Sequence, residues 1–297
     1  MQQSALSLYE FQSQFPDAAA CRTHLFQMRW PTGFVCPRCG GTSYSEITTR
    51  QVYQCTHCHT QTSVTAGTLF HKSKIPVHIW FWVLFLVAKD KRGVSALRVS
   101  QEFPVSYPTA WRMLHKIRFA MAQRDAQYPL AGIIEVDEAY FGAPTMGKKR
   151  GRGTEQTPVL VALAVTEDQH PRFAKMRLLA NLEGETIHTT LQQTTAKGST
   201  LQTDAFPSYQ VIPDRQHQAQ KAYQVDLREA FKWVHTLISN TKAGIVGTYH
   251  GLDAKYLGAY LDEYCYRFNR RFWHNQIFGR LVNACVHAPP RPIAEIC

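Results

Sequence analysis

The sequence is short of acid. Asp and Glu number 22 against 33 Lys and Arg, a formal net charge of +11 with a pI of about 9.3. That imbalance argues against a cationic partner and favours a polyanion. A long apolar run is also missing. The most apolar stretch, "IWFWVLFLVA" at 79–88, has about half the length a membrane span needs. It reads as a buried helix, and no membrane association is expected. The start, "MQQSALSLYEFQSQF", has no basic stretch leading into an apolar one, so no secretory leader is expected and a cytoplasmic location follows. The 8 cysteines are not spread as a disulfide framework. Four stand in two Cys-x-x-Cys pairs and Cys21, Cys265, Cys285 and Cys297 stand alone, a pattern for a reducing compartment with one metal site.

What is present divides into three segments, within a length of 297 residues and a hydrophobic fraction of 44% that can supply a core for one large domain and a small one or two. The first carries "CPRCG" and "CTHCH", so Cys36, Cys39, Cys55 and Cys58 form two pairs separated by 15 residues. Two residues between cysteines let both thiolates of a tight turn reach one ion, and two such turns complete a tetrahedron. The expectation is a structural Zn²⁺ in a ribbon, with "SYSEITTRQVYQC" as a short hairpin between the knuckles. His57 and His59 are spare donors that four thiolates make unnecessary.

The second segment, "GVSALRVSQEFPVSYPTAWRMLHKIRFAM" at 93–121, reads as two helices with a short turn. Ser95 caps the first, Pro104 stops it, and Pro108 suits the first turn of the second. Trp111, Leu114 and Ile117 would face inward, with Arg112, His115 and Lys116 on the other side. A basic second helix after a short turn fits a helix-turn-helix on DNA. An ordinary amphipathic pair with a solvated basic face is the plainer alternative.

In the third segment "GIIEVDEAYFG", "PVLVALAVTED" and "RFAKMRLLANL" read as strands. "GETIHTTLQQTTAKG" reads as a helix, "STLQTDAFPSY" as a fourth strand ending at Asp204, and "HQAQKAYQV" as a fifth. A long helix is expected over about 226–245. Three strands, a helix, a strand and later helices is the order of an RNase H-like α/β domain with a mixed sheet. Asp137 and Asp204 then stand at strand ends, as carboxylates do that hold two divalent ions about 3.5–4 Å apart for phosphoryl transfer. Glu138 should point to the opposite face from Asp137. "GKKRGRG" offers Lys148, Lys149, Arg150 and Arg152 as a basic loop for a DNA backbone. "RFNRR" sets Arg267, Arg270 and Arg271 at i, i+3 and i+4, as phosphate contacts or as a solvated face.

Seven ordered stretches, "RWPTGFVCPRCG", "VYQCTHCHTQTSVTAGTLFHKSKIP", "YPTAWRMLHKIRFAM", "EVDEAYFGA", "TDAFPSY", "HTLISNTKAGIVGTYHG" and "YLDEYCYRFNRR", resemble a bacterial insertion-sequence transposase of the DDE superfamily. The resemblance is to the group with an N-terminal zinc ribbon and an Asp-Asp-Asn/Glu/His-Lys signature. It implies Asp137 and Asp204 as the two acids and Lys242 as the signature lysine. The stretch "WVHTLISNTKAG" that should supply the third ligand contains no acid at all. Seven residues before Lys242, on the same helix face, stands His235. It is the chosen third ligand, with Asn240 as the alternative. A neutral imidazole leaves two carboxylates to balance two divalent ions, so DNA phosphate must supply more of the charge. Imidazole also suits Mn²⁺ better than Mg²⁺.

These expectations assemble into a multidomain α+β chain. A zinc-ribbon segment covers 1–70, a helical DNA-binding segment 71–128 and an RNase H-like catalytic domain 129–297. The implied activity is cleavage and strand transfer of double-stranded DNA at the inverted repeats of a mobile element, by a homo-oligomer using Zn²⁺ structurally and Mg²⁺ or Mn²⁺ in catalysis. The rivals are a degenerate transposase that only binds DNA and a structure-selective nuclease on the same fold.

Overall fold

The computed structural model describes residues 6–142, 154–209, 212, 214–220 and 226–296. The chain divides into two compact units, Met1–Arg124 with Trp273–Cys297, and Asp125–Phe272.

The first unit opens with α1 (Leu8–Gln14) and α2 (Ala18–Arg29). Ser7 and Glu10 form a reciprocal capping box on α1, and Asp17 caps α2 through the Ala20 amide. Next come β1 (Tyr44–Ile47), β2 (Val52–Cys55) and β3 (Gln61–Thr62), an antiparallel three-stranded ribbon. The apolar run forms α3 (Val77–Lys89), buried through Trp80, Phe81, Leu84 and Phe85. Phe11 stacks on Phe85 at 4.4 Å, and Phe15 meets Phe81 edge-on. Each such side chain removed from water contributes about 1.5–3 kcal/mol. Among the described residues no helix is long and apolar enough to cross a membrane.

Then follow α4 (Ala96–Glu102), capped by the Ser95 hydroxyl on the Arg98 amide, and α5 (Tyr107–Ala126). Leu114 and Ile117 of α5 are buried, and Trp111 partly so. His115 corrects its reading as an outward DNA contact: it is 2% exposed, with its ring 4.0 Å from that of Trp111. The apolar side of α5 is wider than the three-residue step suggested, and Arg118 is buried on it as well.

The second unit is built on β4 (Ile133–Phe141), β5 (Thr157–Val165), β6 (Pro171–Leu178), β7 (Thr200–Asp204) and β8 (Gln216–Gln220), with α6 (Gly184–Thr194) between β6 and β7. The strand order is β6-β5-β4-β7-β8, antiparallel across the first three and parallel from β4 to β7 to β8. That order and the placing of α6 are those of an RNase H-like domain. One face packs on α6 through Ile187 and Leu191. The other packs on α8 (Lys232–Tyr249) and α9 (Ala254–Asn269) through Val234, Leu237 and Leu261.

Two differences from the sequence reading stand out. Where one helix is expected over 226–245, the chain forms α7 (Leu227–Ala230) and then restarts as α8 after the buried Phe231. The last helix, α10 (Ile277–His287), falls in the first unit and not with the five-stranded sheet. Phe278 explains this, since it packs against Phe11, Phe15 and Phe81, and the Leu69 amide donates to the Cys285 carbonyl at 3.1 Å.

His24 on α2 sits edge-on between Phe15 and Phe81, and burial lowers its pKa below the ordinary 6.5. The fold therefore favours the neutral ring. Its contribution to stability is complete above pH 6.5 and is lost as pH falls through the depressed folded value. Thermal melts of His24→Leu between pH 4 and 8 should show a shallower loss of Tm on the acid side than wild type. Parallel acid limbs would remove His24 from the account.

Candidate active site

Strand alternation sorts the acids of β4. Asp137 lies opposite Val161 and Glu138 opposite Leu160 on β5. Val161 belongs to the core shared with α8, and Leu160 to the core shared with α6. Asp137 therefore looks toward α8 and Glu138 away from it. On β7, Leu201 lies in the α6 core, so Gln202 and Asp204 share the face of Asp137. The parallel ladder between β4 and β7 ends at Glu135↔Gln202. Two residues further along each strand stand Asp137 and Asp204, just past the end of the parallel ladder. Asp204 is the last residue of β7, but Asp137 lies midway along β4, which runs on to Phe141 and not to an end near Asp137 as expected, because β5 pairs with it throughout.

The two carboxylates are held locally. Asp137 Oδ1 accepts the Glu138 amide at 2.8 Å, and Asp204 Oδ1 accepts the Phe206 amide at 3.1 Å in the turn after β7. Helix α8 brings the third group: His235 Nε2 stands 3.3 Å from Asp137 Oδ2. The hydrogen bond and charge of Asp137 raise the imidazole pKa against the opposing effect of burial. Cis ligands of an octahedral ion with bonds of about 2.1 Å stand about 3 Å apart, so this pair fits a single hard or borderline divalent ion. Asn240, the alternative third ligand, is exposed. Lys242 lies further along α8, its Nζ 5.4 Å from the ring of Phe141 at the end of β4. Burial lowers its pKa and Asp137 raises it.

Sequence reasoning missed Glu135. It is 1% exposed, and its Oε2 accepts the Val234 amide at 3.0 Å. Burial pushes its carboxyl up to about 7, against the Val234 hydrogen bond and the nearby His235. A signal was available: an acid two residues before Asp137 on an otherwise apolar strand must share its face.

The arginines of "RFNRR" correct their reading as phosphate contacts. Arg270 is 8% exposed, donates to Asp125 Oδ1 at 2.7 Å and stacks on Tyr266. Arg267 pairs with Glu263, and Arg271 donates to the carbonyls of Pro171, Arg172 and Phe268. All three serve the packing of α9, because a guanidinium near the end of a buried helix finds carbonyls and acids before it finds solvent. Arg112 and Lys116 are half-buried on α5, and burial lowers the Lys116 pKa. Lys148, Lys149, Arg150 and Arg152 lie outside the described residues.

In the ribbon, the sulfurs of Cys36, Cys39, Cys55 and Cys58 all lie within 4.8 Å of one another. Cys36 and Cys58 are 3.5 Å apart, and Cys39 and Cys55 3.6 Å. A tetrahedral zinc with bonds of about 2.3 Å separates its sulfurs by about 3.8 Å, so the quartet fits Zn²⁺. The two knuckles repeat one set of hydrogen bonds. Gly40 donates to the Cys36 carbonyl at 2.9 Å and His59 to the Cys55 carbonyl at 3.0 Å. The Cys36 amide reaches the Gly41 carbonyl at 2.9 Å, and the Cys55 amide the Thr60 carbonyl at 3.0 Å. Both turns need a left-handed residue, supplied by Gly40 at φ 73° and His59 at φ 58°.

Residues 129–269 match the family model of the ISXO2-like transposase domain, and residues 16–61 that of the transposase zinc-ribbon domain. No curated protein matches the chain. Among solved structures it is similar to a Mos1 transposase paired-end complex with left transposon end, at 11% identity over 70% of this chain and 79% of that one, TM-score 0.28. It is also similar to a pre-cleavage Mos1 transpososome, at 11% identity over 67% and 76%, TM-score 0.28. Likeness at that score adds nothing to the strand order of the sheet itself.

Removing Arg270 should cost stability and spare DNA affinity. Breaking a buried ion pair costs about 3–5 kcal/mol, so Arg270→Ala should melt well below wild type while the salt dependence of DNA binding keeps its slope. A reduced slope with an unchanged Tm would restore Arg270 as a phosphate contact.

Proposed function

Because the chain belongs to the zinc-ribbon transposases of the DDE superfamily, we propose that it cuts double-stranded DNA at the terminal inverted repeats of a mobile element and joins the freed ends to target DNA. The observation that carries this reading is the meeting of Asp137 with His235 Nε2 at 3.3 Å, beside a strand that ends on Asp204. Asp137 and His235 would hold divalent metal, Mg²⁺ or Mn²⁺, with Asp204 as the further carboxylate that the resemblance implies. When bound, the metal would supply Lewis-acid stabilisation of the attacking and leaving oxygens of an in-line displacement. Lys242 lies on the same helix as His235 and offers a compact cation to a DNA phosphate. Cleavage leaves a 3′-hydroxyl on the element, and that hydroxyl displaces one oxygen of a target phosphodiester as its own ester forms. The helical pair α4–α5 and the ribbon read the repeats, phosphate contacts fix register, and the pairing of two ends calls for a homo-oligomer. The work is done on DNA in the cytoplasm.

Strand cleavage of DNA carrying the repeats that flank the gene tests this. Asp137→Ala, Asp204→Ala and His235→Ala should each lose activity by more than about a hundredfold, the upper end of what even a ligand's supporting partner is worth. With His235 in the site, Mn²⁺ should serve at least as well as Mg²⁺ across a concentration series. Tight repeat binding without cleavage by wild type would make the protein a DNA-binding relic. Cutting that follows branch structure and not sequence would make it a structure-selective nuclease.

A further inference from the structure

Glu135 stands two residues before Asp137 on β4, between the buried Ile134 and Val136, and is itself 1% exposed. Burying an acid in a strand that could carry Val or Leu is costly unless the carboxylate is used. Its Oε2 accepts the Val234 amide at 3.0 Å, a bond between positions 99 apart in the chain. Val234 is the third residue of α8, so its amide is one of the first-turn donors with no partner inside the helix. Phe231, at the N-cap, supplies no side-chain bond. Local sequence therefore leaves the start of α8 uncapped, and a residue of the central strand takes the place of the cap. A carboxylate also suits the positive end of a helix.

The next residue along α8 is His235. Its amide donates to the Phe231 carbonyl at 3.0 Å, the first bond after the restart, and its ring reaches Asp137 at 3.3 Å. Two contacts thus lie side by side between the same strand and the same helix, Glu135 with Val234 and Asp137 with His235. The first involves backbone and fixes where the helix begins. The second involves side chains and depends on that position.

We propose that Glu135 is a positioning residue for the catalytic centre: by holding the Val234 amide it sets the start of α8 and aims the His235 imidazole at Asp137. This rests on the reading of His235 as a metal ligand. Glu135 itself touches neither metal nor DNA. Its effect should resemble that of a group supporting a ligand, not that of the ligand itself.

The test uses the full-length, zinc-loaded protein and a titration with Mn²⁺, read by the paramagnetic resonance of the free ion. Four proteins are compared: wild type, His235→Ala, Glu135→Met and Glu135→Gln. Methionine keeps the volume and removes the acceptor, whereas glutamine keeps an oxygen for the Val234 amide. His235→Ala and Glu135→Met should both bind Mn²⁺ about 10–100-fold more weakly than wild type, and Glu135→Gln should stay close to wild type. In strand cleavage, Glu135→Met should lose kcat with little change in KM for DNA. Wild-type affinity in Glu135→Met, with weak binding in His235→Ala, would overturn the positioning role and leave the site reading intact. The same loss in Glu135→Gln as in Glu135→Met would also overturn it, because the acceptor would not be what matters. No Mn²⁺ binding by wild type, or undiminished binding by His235→Ala, would overturn the site reading and the positioning role together. Should Glu135→Met fail to fold, amide exchange in wild type and Glu135→Gln decides: the Val234 amide should be protected in both, and exchange as fast as an unbonded first-turn amide would refute the proposal.

Discussion

Successive side chains of a strand turn to opposite faces of the sheet, and in β4 that alternation organises the second unit and its candidate site. β4 is bonded on one side to β5 along its whole length and on the other to β7 over its first three residues. Its register is therefore fixed, and a slip by one residue would carry Asp137 to the α6 face and Glu138 to the α8 face. With the register set, Glu135 and Asp137 look toward α8 and meet its first turn in order, amide then imidazole. Asp204 reaches the same face because β7 runs parallel to β4 and ends where the ladder between them has stopped.

Much of this was legible in the sequence, for physical reasons that differ by element. The ribbon was legible because tetrahedral thiolate coordination leaves few spacings, and the structure closes the four sulfurs into one cluster. The sheet was legible because β5 is apolar on both faces and β4 opens on an apolar run, although β4 continues to Phe141, past the expected end near Asp137. Helix α10 was not, since an apolar helix at the end of a chain carries nothing to say which core it joins. Nor were the arginines of α9. An i, i+3, i+4 spacing places them on one side of a helix, but only the neighbouring elements decide whether that side is wet, and here they offer Asp125 at the end of α5 and the carbonyls of Pro171 and Arg172 at the start of β6. His115 failed in the same way on α5. The break before α8 was hidden because its cap comes from a residue 99 positions away.

In the proposed site a histidine stands where a third acid would, and that would shape the chemistry. An imidazole brings no negative charge, so with His235 as the proposed third ligand the two aspartates would face divalent metal with less compensation than three acids would give. On the proposed reading, in a chain of net charge +11 the deficit would be met by the phosphates of DNA. Metal loading and DNA binding would then support each other.

The most direct test of this account asks whether a nitrogen touches the catalytic ion. Electron spin-echo envelope modulation of Mn²⁺ bound to the zinc-loaded protein reports nitrogen nuclei in contact with the metal. The account predicts nitrogen modulation in wild type that disappears in His235→Ala. Mn²⁺ bound without nitrogen modulation, or modulation that survives the loss of His235, would contradict it.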